Sequence, residues 1–146
     1  MITRLICCIL IAVSICACNQ MKTSPIEGAW KLIQSQSVTG NSVVTEFPGK
    51  NDMEMTKIWS GNHWMFVARI KADTTVTDAY GKGTFKLEGN RYEENVGILF
   101  YKPWEGKTIK MTLEMKNDTI TQTYPVDDKG QMDKKEATVE KYVRVK

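Results

Sequence analysis

A strict alternation of apolar and polar side chains constrains the fold of this chain more than any other feature. It is clearest in residues 107–116, whose apolar face consists of Ile109, Met111, Leu113 and Met115. Successive side chains of a β-strand point to opposite faces, so this period of two predicts a half-buried antiparallel strand. Asn117 and Asp118 tolerate the backbone angles of a tight turn, and the alternation resumes in residues 119–124. The two segments therefore predict a β-hairpin.

The same pattern recurs along the rest of the chain, and turn residues such as Gly61-Asn62 and Gly89-Asn90 separate its segments. No segment has the period of an amphipathic helix. In addition to the hairpin, the sequence predicts strands at residues 30–38, 43–47, 53–59, 63–71, 83–88, 91–100 and 137–146. We therefore expect an all-β domain of eight to ten strands linked mostly by short turns. An antiparallel up-and-down β-barrel is the fold that leaves such a meander without exposed edges.

The first seventeen residues form a separate segment. Arg4 precedes an apolar run at residues 5–15, and the small residue Ala17 precedes Cys18, which is the layout of a secretory signal. The run is shorter than the roughly 20 residues that a membrane-spanning helix needs. The cysteine directly after Ala17 resembles the lipobox of bacterial lipoproteins. That resemblance implies cleavage before Cys18 and lipid on its sulfur and amine, and a plain secretory signal cut elsewhere is the alternative.

The lipobox resemblance implies an organisation and a location. Residues 1–17 are the expected lipoprotein signal peptide, residues 18–25 a lipid-anchored tether and residues 26–146 the β-barrel domain. Two or more acyl chains anchor a protein stably, so the membrane itself is an expected partner. Asn19 is not the aspartate that retains such proteins in the inner membrane of enteric bacteria, and the tether has no acidic cluster. We expect the outer membrane of a Gram-negative envelope, on its periplasmic side.

Composition argues against several classes of function. Without residues 1–17 the chain has 19 Lys and Arg against 17 Asp and Glu, a net charge of 19 − 17 = +2, so no nucleic-acid partner is expected. All four cysteines lie in residues 1–18, so the predicted domain has no disulfide. His63 is the only histidine, and a metal site or a Ser-His-Asp triad needs further partners at suitable spacing. We predict no metal, no cofactor and no enzymatic activity.

Both ends of the predicted domain carry a signature. Gly28 and Trp30 form a Gly-x-Trp at the start of the first strand, Arg144 lies near the end of the last, and residues 83–94 form a predicted central hairpin. Together they resemble the lipocalin-like lipoproteins of bacteria, a family of mostly unassigned function, over residues 26–146. The resemblance implies a lipocalin-like barrel in which Arg144 packs across the ring of Trp30. Unlike typical lipocalins, the chain shows no C-terminal helix and no bridging cysteine pair.

Large rings and methionines alternate along the predicted strands, and an eight-stranded barrel is just wide enough to be filled by side chains or to hold one small ligand. Tyr92, Glu94, Val96 and Ile98 are expected on one inward face. A carboxylate there must pair, protonate or meet a ligand, and Arg69 or Arg144 are the expected pairing partners of Glu94. The predicted ligand-binding residues are Trp64, Phe66, Phe85, Tyr92, Glu94, Met111, Leu113 and Tyr124.

Two functional hypotheses follow. In the first, a lipid-anchored envelope lipoprotein binds a small apolar or amphipathic ligand non-covalently inside its barrel. In the second, the barrel holds no ligand and serves as a structural or protein-interaction module of an envelope complex, with an unspecified protein partner. An open cavity lined by the rings would favour the first hypothesis. A filled lumen with an exposed apolar patch would favour the second.

Overall fold

The computed structural model describes residues 24–133 and 135–146, which form one antiparallel sheet of nine strands. Cys18, the predicted signal peptide and most of the predicted tether lie outside these residues. A short 3₁₀ turn covers Lys102–Trp104, and the described residues include no helix that is long and apolar enough to cross a membrane. The strands are β1 (Gly28–Thr39), β2 (Ser42–Phe47), β3 (Asp52–Ser60), β4 (His63–Ala72), β5 (Thr75–Glu88), β6 (Arg91–Leu99), β7 (Thr108–Lys116), β8 (Thr119–Tyr124) and β9 (Ala137–Arg144).

The sheet closes on itself as an eight-stranded barrel with one additional strand. Each strand from β3 to β8 pairs with the next one along the chain, and β9 pairs with β1. On its other side, β1 pairs with β3 through its first residues and with β2 through its last, so β2 branches off the barrel. The predicted all-β, antiparallel up-and-down barrel of eight to ten strands is therefore confirmed. Short turns join most of the neighbouring strands and favour this topology, because they leave each strand beside its predecessor.

The structure departs from the predicted pattern at β5 and β6. Strand β5 begins at Thr75, eight residues before the predicted start. Residues 75–81 are exposed apart from Ala79 and Gly81, so they lack the regular apolar alternation that marked the other strands. The pairing of β5 with β6 shifts register between Lys82 and Gly83. Ile98, expected on the inward face, is therefore 41% exposed, and Leu99 takes the inward position instead. A β-bulge of this kind reverses the faces of every later residue in its strand.

One end of the barrel is closed by packed side chains around Trp30, which is fully buried. The Trp30 indole N–H donates to the carbonyl of Ile26 over 2.8 Å. The Arg144 guanidinium lies 4.2 Å from the centre of the Trp30 ring, the arrangement that the lipocalin resemblance implies. Its two terminal nitrogens donate to the carbonyls of Glu27 and Pro25. The segment that leads into β1 is thus held across this end, which we call the closed end.

Candidate ligand-binding cavity

A cavity of about 300 Å³ occupies the barrel at the end opposite Trp30. Its walls come from every strand from β3 to β9 and from the connection between β6 and β7. Phe100 and Tyr101 in that connection line the cavity and are also 42% and 53% exposed, so they mark its mouth. The other apolar lining side chains are Met53, Met55, Trp64, Phe66, Ala68, Ile70, Ala79, Val96, Leu99, Trp104, Ile109 and Met111.

The floor of the cavity contains a buried ion pair. Lys57 lies on the inward face of β3, and its Nζ is 2.5 Å from Oε1 of Glu94 on β6. Both side chains are only 5% exposed. The same Nζ donates to the side-chain oxygen of Gln122 on β8 over 3.1 Å. Charges are buried in proteins when they are paired and hydrogen-bonded, and Lys57 meets both conditions.

Aromatic rings surround the ammonium group of Lys57. The centres of the Trp59, Trp64 and Tyr92 rings lie 5.1, 5.3 and 6.0 Å from its Nζ, within the range of cation–π attraction. The Trp59 indole N–H donates to the Tyr92 hydroxyl, which donates in turn to Oε1 of Glu94, each over 2.7 Å. Burial and the nearby Glu94 raise the pKa of Tyr92, so its hydroxyl stays a proton donor. This hydrogen-bonded chain connects the floor to the packed interior behind it.

Glu140 on β9 provides a second carboxylate beside the cavity. The Tyr142 hydroxyl donates to its Oε2 over 2.6 Å. Burial raises the pKa of Glu140, and the positive charge of Lys57 opposes that rise. Burial, and then the charge of Glu140, raise the pKa of Tyr124 well above its ordinary value. The floor therefore combines carboxylates with neutral hydroxyl groups that can donate hydrogen bonds.

The structure brings five of the eight predicted ligand-binding residues together around the cavity and places three elsewhere. Those that line the cavity are Trp64, Phe66, Glu94, Met111 and Tyr124.

Phe85, Tyr92 and Leu113 are also buried, but none of them lines the cavity. The ring of Phe85 lies 5.5 Å from that of Tyr92, and the backbone N–H of Leu113 donates to Asn90 in the turn between β5 and β6. These three side chains fill the barrel toward the closed end. Alternation distinguishes inward from outward side chains, but it does not tell how deep along the barrel an inward side chain lies.

The expected partners of Glu94 are wrong. Arg69 lies on the outer surface, where it makes a two-point ion pair with Asp78, and Arg144 covers Trp30. Lys57 is the actual partner, and sequence reasoning missed it. The signal was present, because the alternation of β3 places Lys57 on the same face as Met55 and Trp59.

Sequence reasoning also missed Gln122 and Glu140, whose signal is of the same kind. Gln122 lies two residues after the buried Ile120, and Glu140 lies two residues before the buried Tyr142. A polar residue in the inward register of a strand therefore marks the floor of this cavity.

The residues that the structure describes contain no group of three or more His, Cys, Asp or Glu side chains that could hold a metal ion. His63 is exposed at the turn between β3 and β4. No protein-family model matches the chain, and no curated protein matches it significantly. The cavity is therefore the feature of this protein that points to a function.

Proposed function

We propose that this protein is a lipid-anchored envelope lipoprotein whose barrel binds a small amphipathic molecule non-covalently. The observation that carries the proposal is the cavity of about 300 Å³, with apolar walls and a polar floor. Ligand sites in proteins have this composition: mostly apolar lining with a few convergent polar groups, at volumes of roughly 300 Å³ and above. The contact between Trp30 and Arg144 supports a relation to the lipocalin-like lipoproteins of bacteria.

The position of the N-terminal segment indicates how the cavity would be oriented relative to the membrane. Residues 24–27 cross the closed end of the barrel, while Phe100 and Tyr101 mark the cavity mouth at the opposite end. With lipid at Cys18, only residues 19–23 would separate the lipid from this closed end. The cavity mouth would then face away from the anchoring membrane. The ligand would arrive from the aqueous compartment or from another protein, and not sideways from the bilayer.

Probe binding tests the ligand proposal directly. We expect the neutral fluorescent probe N-phenylnaphthylamine to bind the domain saturably, with one-to-one stoichiometry. Ala79→Phe places a ring in the cavity and should weaken that binding strongly, because Ala79 is part of the lining. Val67→Phe is the matched control, since Val67 is 65% exposed on the outer face of β4 and should leave binding unchanged. Absence of saturable binding to the parent protein would contradict the proposal.

Metabolic labelling tests the anchor separately. Cys18→Ser should prevent incorporation of labelled palmitate, because it removes the sulfur that carries the acyl group. Cys16→Ser is the matched control and should still be labelled, since Cys16 lies before the proposed cleavage point. Label in the Cys18→Ser protein would disprove lipid attachment at Cys18 and leave the cavity proposal untouched.

A second candidate function, an interaction module, is favoured by the outer face of the barrel. Met65, Val67 and Tyr80 are 50%, 65% and 49% exposed, and Val67 pairs directly with Tyr80 across β4 and β5. Contiguous apolar surface of this kind is typical of contact sites. If probe binding fails while Val67→Lys removes a native envelope complex, this second function replaces the first.

A further inference from the structure

The cavity floor contains more negative than positive groups. Lys57 is the only cationic residue among those that line the cavity, whereas Glu94 and Glu140 both line it. The ammonium group of Lys57 is already engaged by Glu94 at 2.5 Å and by Gln122 at 3.1 Å. The one positive charge is thus committed to Glu94. Within the part of the chain that the structure describes, Glu140 accepts a hydrogen bond from Tyr142 but makes no ion pair of its own.

We infer that the cavity selects an amphipathic ligand with a positively charged amine head, which binds against Glu140 with its apolar part along the methionine and aromatic walls. This inference rests on the proposed function and specifies its ligand. A buried carboxylate gains most from a partner of opposite charge, because the charged form is otherwise disfavoured away from water. An amine head supplies both that charge and the hydrogen-bond donors that a carboxylate accepts.

The same groups disfavour a carboxylate head. An anionic head at the floor would approach two glutamates, and Lys57 would have to leave Glu94 to pair with it. That exchange would leave Glu94 buried without its partner, a costly state. Fatty acids, which are otherwise the simplest amphipathic ligands, are therefore expected to bind weakly. A neutral head would bind at an intermediate level, since it would leave Glu140 as it is.

The groups around Glu140 also predict how binding depends on pH. Lys57 faces it from β3, Glu94 from β6, Tyr124 from β8 and Tyr142 from its own strand. Burial raises the pKa of Glu140, so part of its population carries a proton at a pH where an exposed glutamate would not. The charged head would stabilise the ionised form and release that proton. The preference for an amine over a neutral head should therefore grow as pH rises through the pKa of Glu140.

Three ligands with one tail and different heads test the inference. Octylamine, octanol and octanoate would each compete with N-phenylnaphthylamine at neutral pH. We expect octylamine to bind about tenfold more tightly than octanol, because a charge-assisted hydrogen bond contributes roughly 1.5 kcal/mol or more. Octanoate should bind most weakly. Glu140→Gln should remove the difference between octylamine and octanol, while Glu114→Gln, an exposed substitution on β7, should preserve it.

The outcomes separate the inference from the proposed function. If the probe binds but octanoate competes as well as octylamine, or octylamine does not compete, the amine inference is overturned and the cavity proposal stands. If the probe itself does not bind, the proposed function fails first. A preference for octylamine that survives in Glu140→Gln would show that Glu140 is not the anchoring group. The three heads on the parent protein test the inference even where Glu140→Gln does not fold.

Discussion

The two ends of this barrel are built from the same strands and differ in how they are filled. At the closed end, Trp30, Trp59 and Tyr142 are buried, and their rings meet edge to face at centre distances of 6.2 to 6.3 Å. At the other end, alanines such as Ala68 and Ala79 occupy inward positions, and a cavity of about 300 Å³ remains. Small side chains in the inward register leave the space that large rings fill at the closed end.

Between the two ends lies the charged layer of Lys57, Glu94 and Gln122. On the side of the closed end, Lys57 packs against Trp59 and Glu94 accepts a hydrogen bond from Tyr92. On the other side, Lys57 and Glu94 line the cavity, and Gln122 contacts the lining residue Met111. The closed end is filled by packed rings, whereas the open end has free volume above a buried ion pair. Substitutions at the two ends should accordingly change different measured quantities.

Removal of the central ring at the closed end should have the largest effect on stability. Trp30→Ala should lower the free energy of unfolding by about 3–5 kcal/mol, because it removes a fully buried ring and leaves a void. Arg144→Lys should cost about 0.5–2 kcal/mol, since it weakens the cation–π contact and the hydrogen bonds to Pro25 and Glu27. Urea unfolding of both variants measures the difference. A loss for Trp30→Ala no larger than that for Arg144→Lys would show that burial of the Trp30 ring is not the main source of stability at the closed end.

Breaking the buried ion pair should cost nearly as much. Lys57→Met should destabilise the protein by about 3–5 kcal/mol, because Glu94 stays buried without its partner. The double variant Lys57→Met, Glu94→Leu should recover much of that loss, since it leaves no unpaired charge.

Arg69→Met is the matched control for the buried pair. Arg69 makes an equally well-formed ion pair with Asp78, but both side chains are exposed, at 59% and 62%. The melting temperature of the Arg69→Met protein should therefore stay close to that of the parent protein. A double variant no more stable than Lys57→Met would indicate that the charged layer contributes through packing and not through pairing.

Larger side chains should destabilise the filled part of the barrel more than the end that contains the cavity. Ile120→Phe enlarges a fully buried side chain in the filled part of the barrel and should cost about 1–3 kcal/mol. Ala79→Phe adds more volume but extends into the cavity, so it should change stability by less than about 1 kcal/mol while it weakens probe binding. Thermal melting and probe titration on both proteins provide the comparison. A strongly destabilised Ala79→Phe protein would mean that this end has no usable space in solution.

The smallest expected effect concerns Glu140 and pH. Burial raises its pKa above the ordinary value of 4.5, so the folded protein holds a proton that the unfolded chain has already released. The contribution of Glu140 to stability therefore falls as pH rises from about 4.5 through the raised pKa. Glu140→Gln should be slightly more stable than the parent protein near pH 7 and should lose that advantage near pH 4. Melting temperatures across this range test the sign, and an advantage only at low pH would contradict it.

Much of the barrel was predictable from local pattern. A period of two in residues 107–116, and turns at Gly61 and Gly89 with positive φ, depend on neighbours in the chain, and the structure has strands and turns there. The bulge between β5 and β6 was not predictable in the same way. Gly83 allows the backbone of Asn95 to approach so closely that a Cβ atom would collide with its carbonyl oxygen. This close contact depends on two paired strands. The alternation within β6 alone could not predict it, and therefore placed Ile98 on the inward face.

The sequence by itself determined the all-β class, a range of eight to ten strands, most inward faces and the prediction that Glu94 is buried, because alternation and turn residues act over short stretches of chain. Only the tertiary structure decided that Lys57 is the partner of Glu94, that Glu140 joins the floor, and that Phe85, Tyr92 and Leu113 lie outside the cavity. The reason is physical. The depth of a side chain along a barrel depends on the register and tilt of all eight closing strands, and those follow from contacts between residues as distant as Lys57 and Gln122.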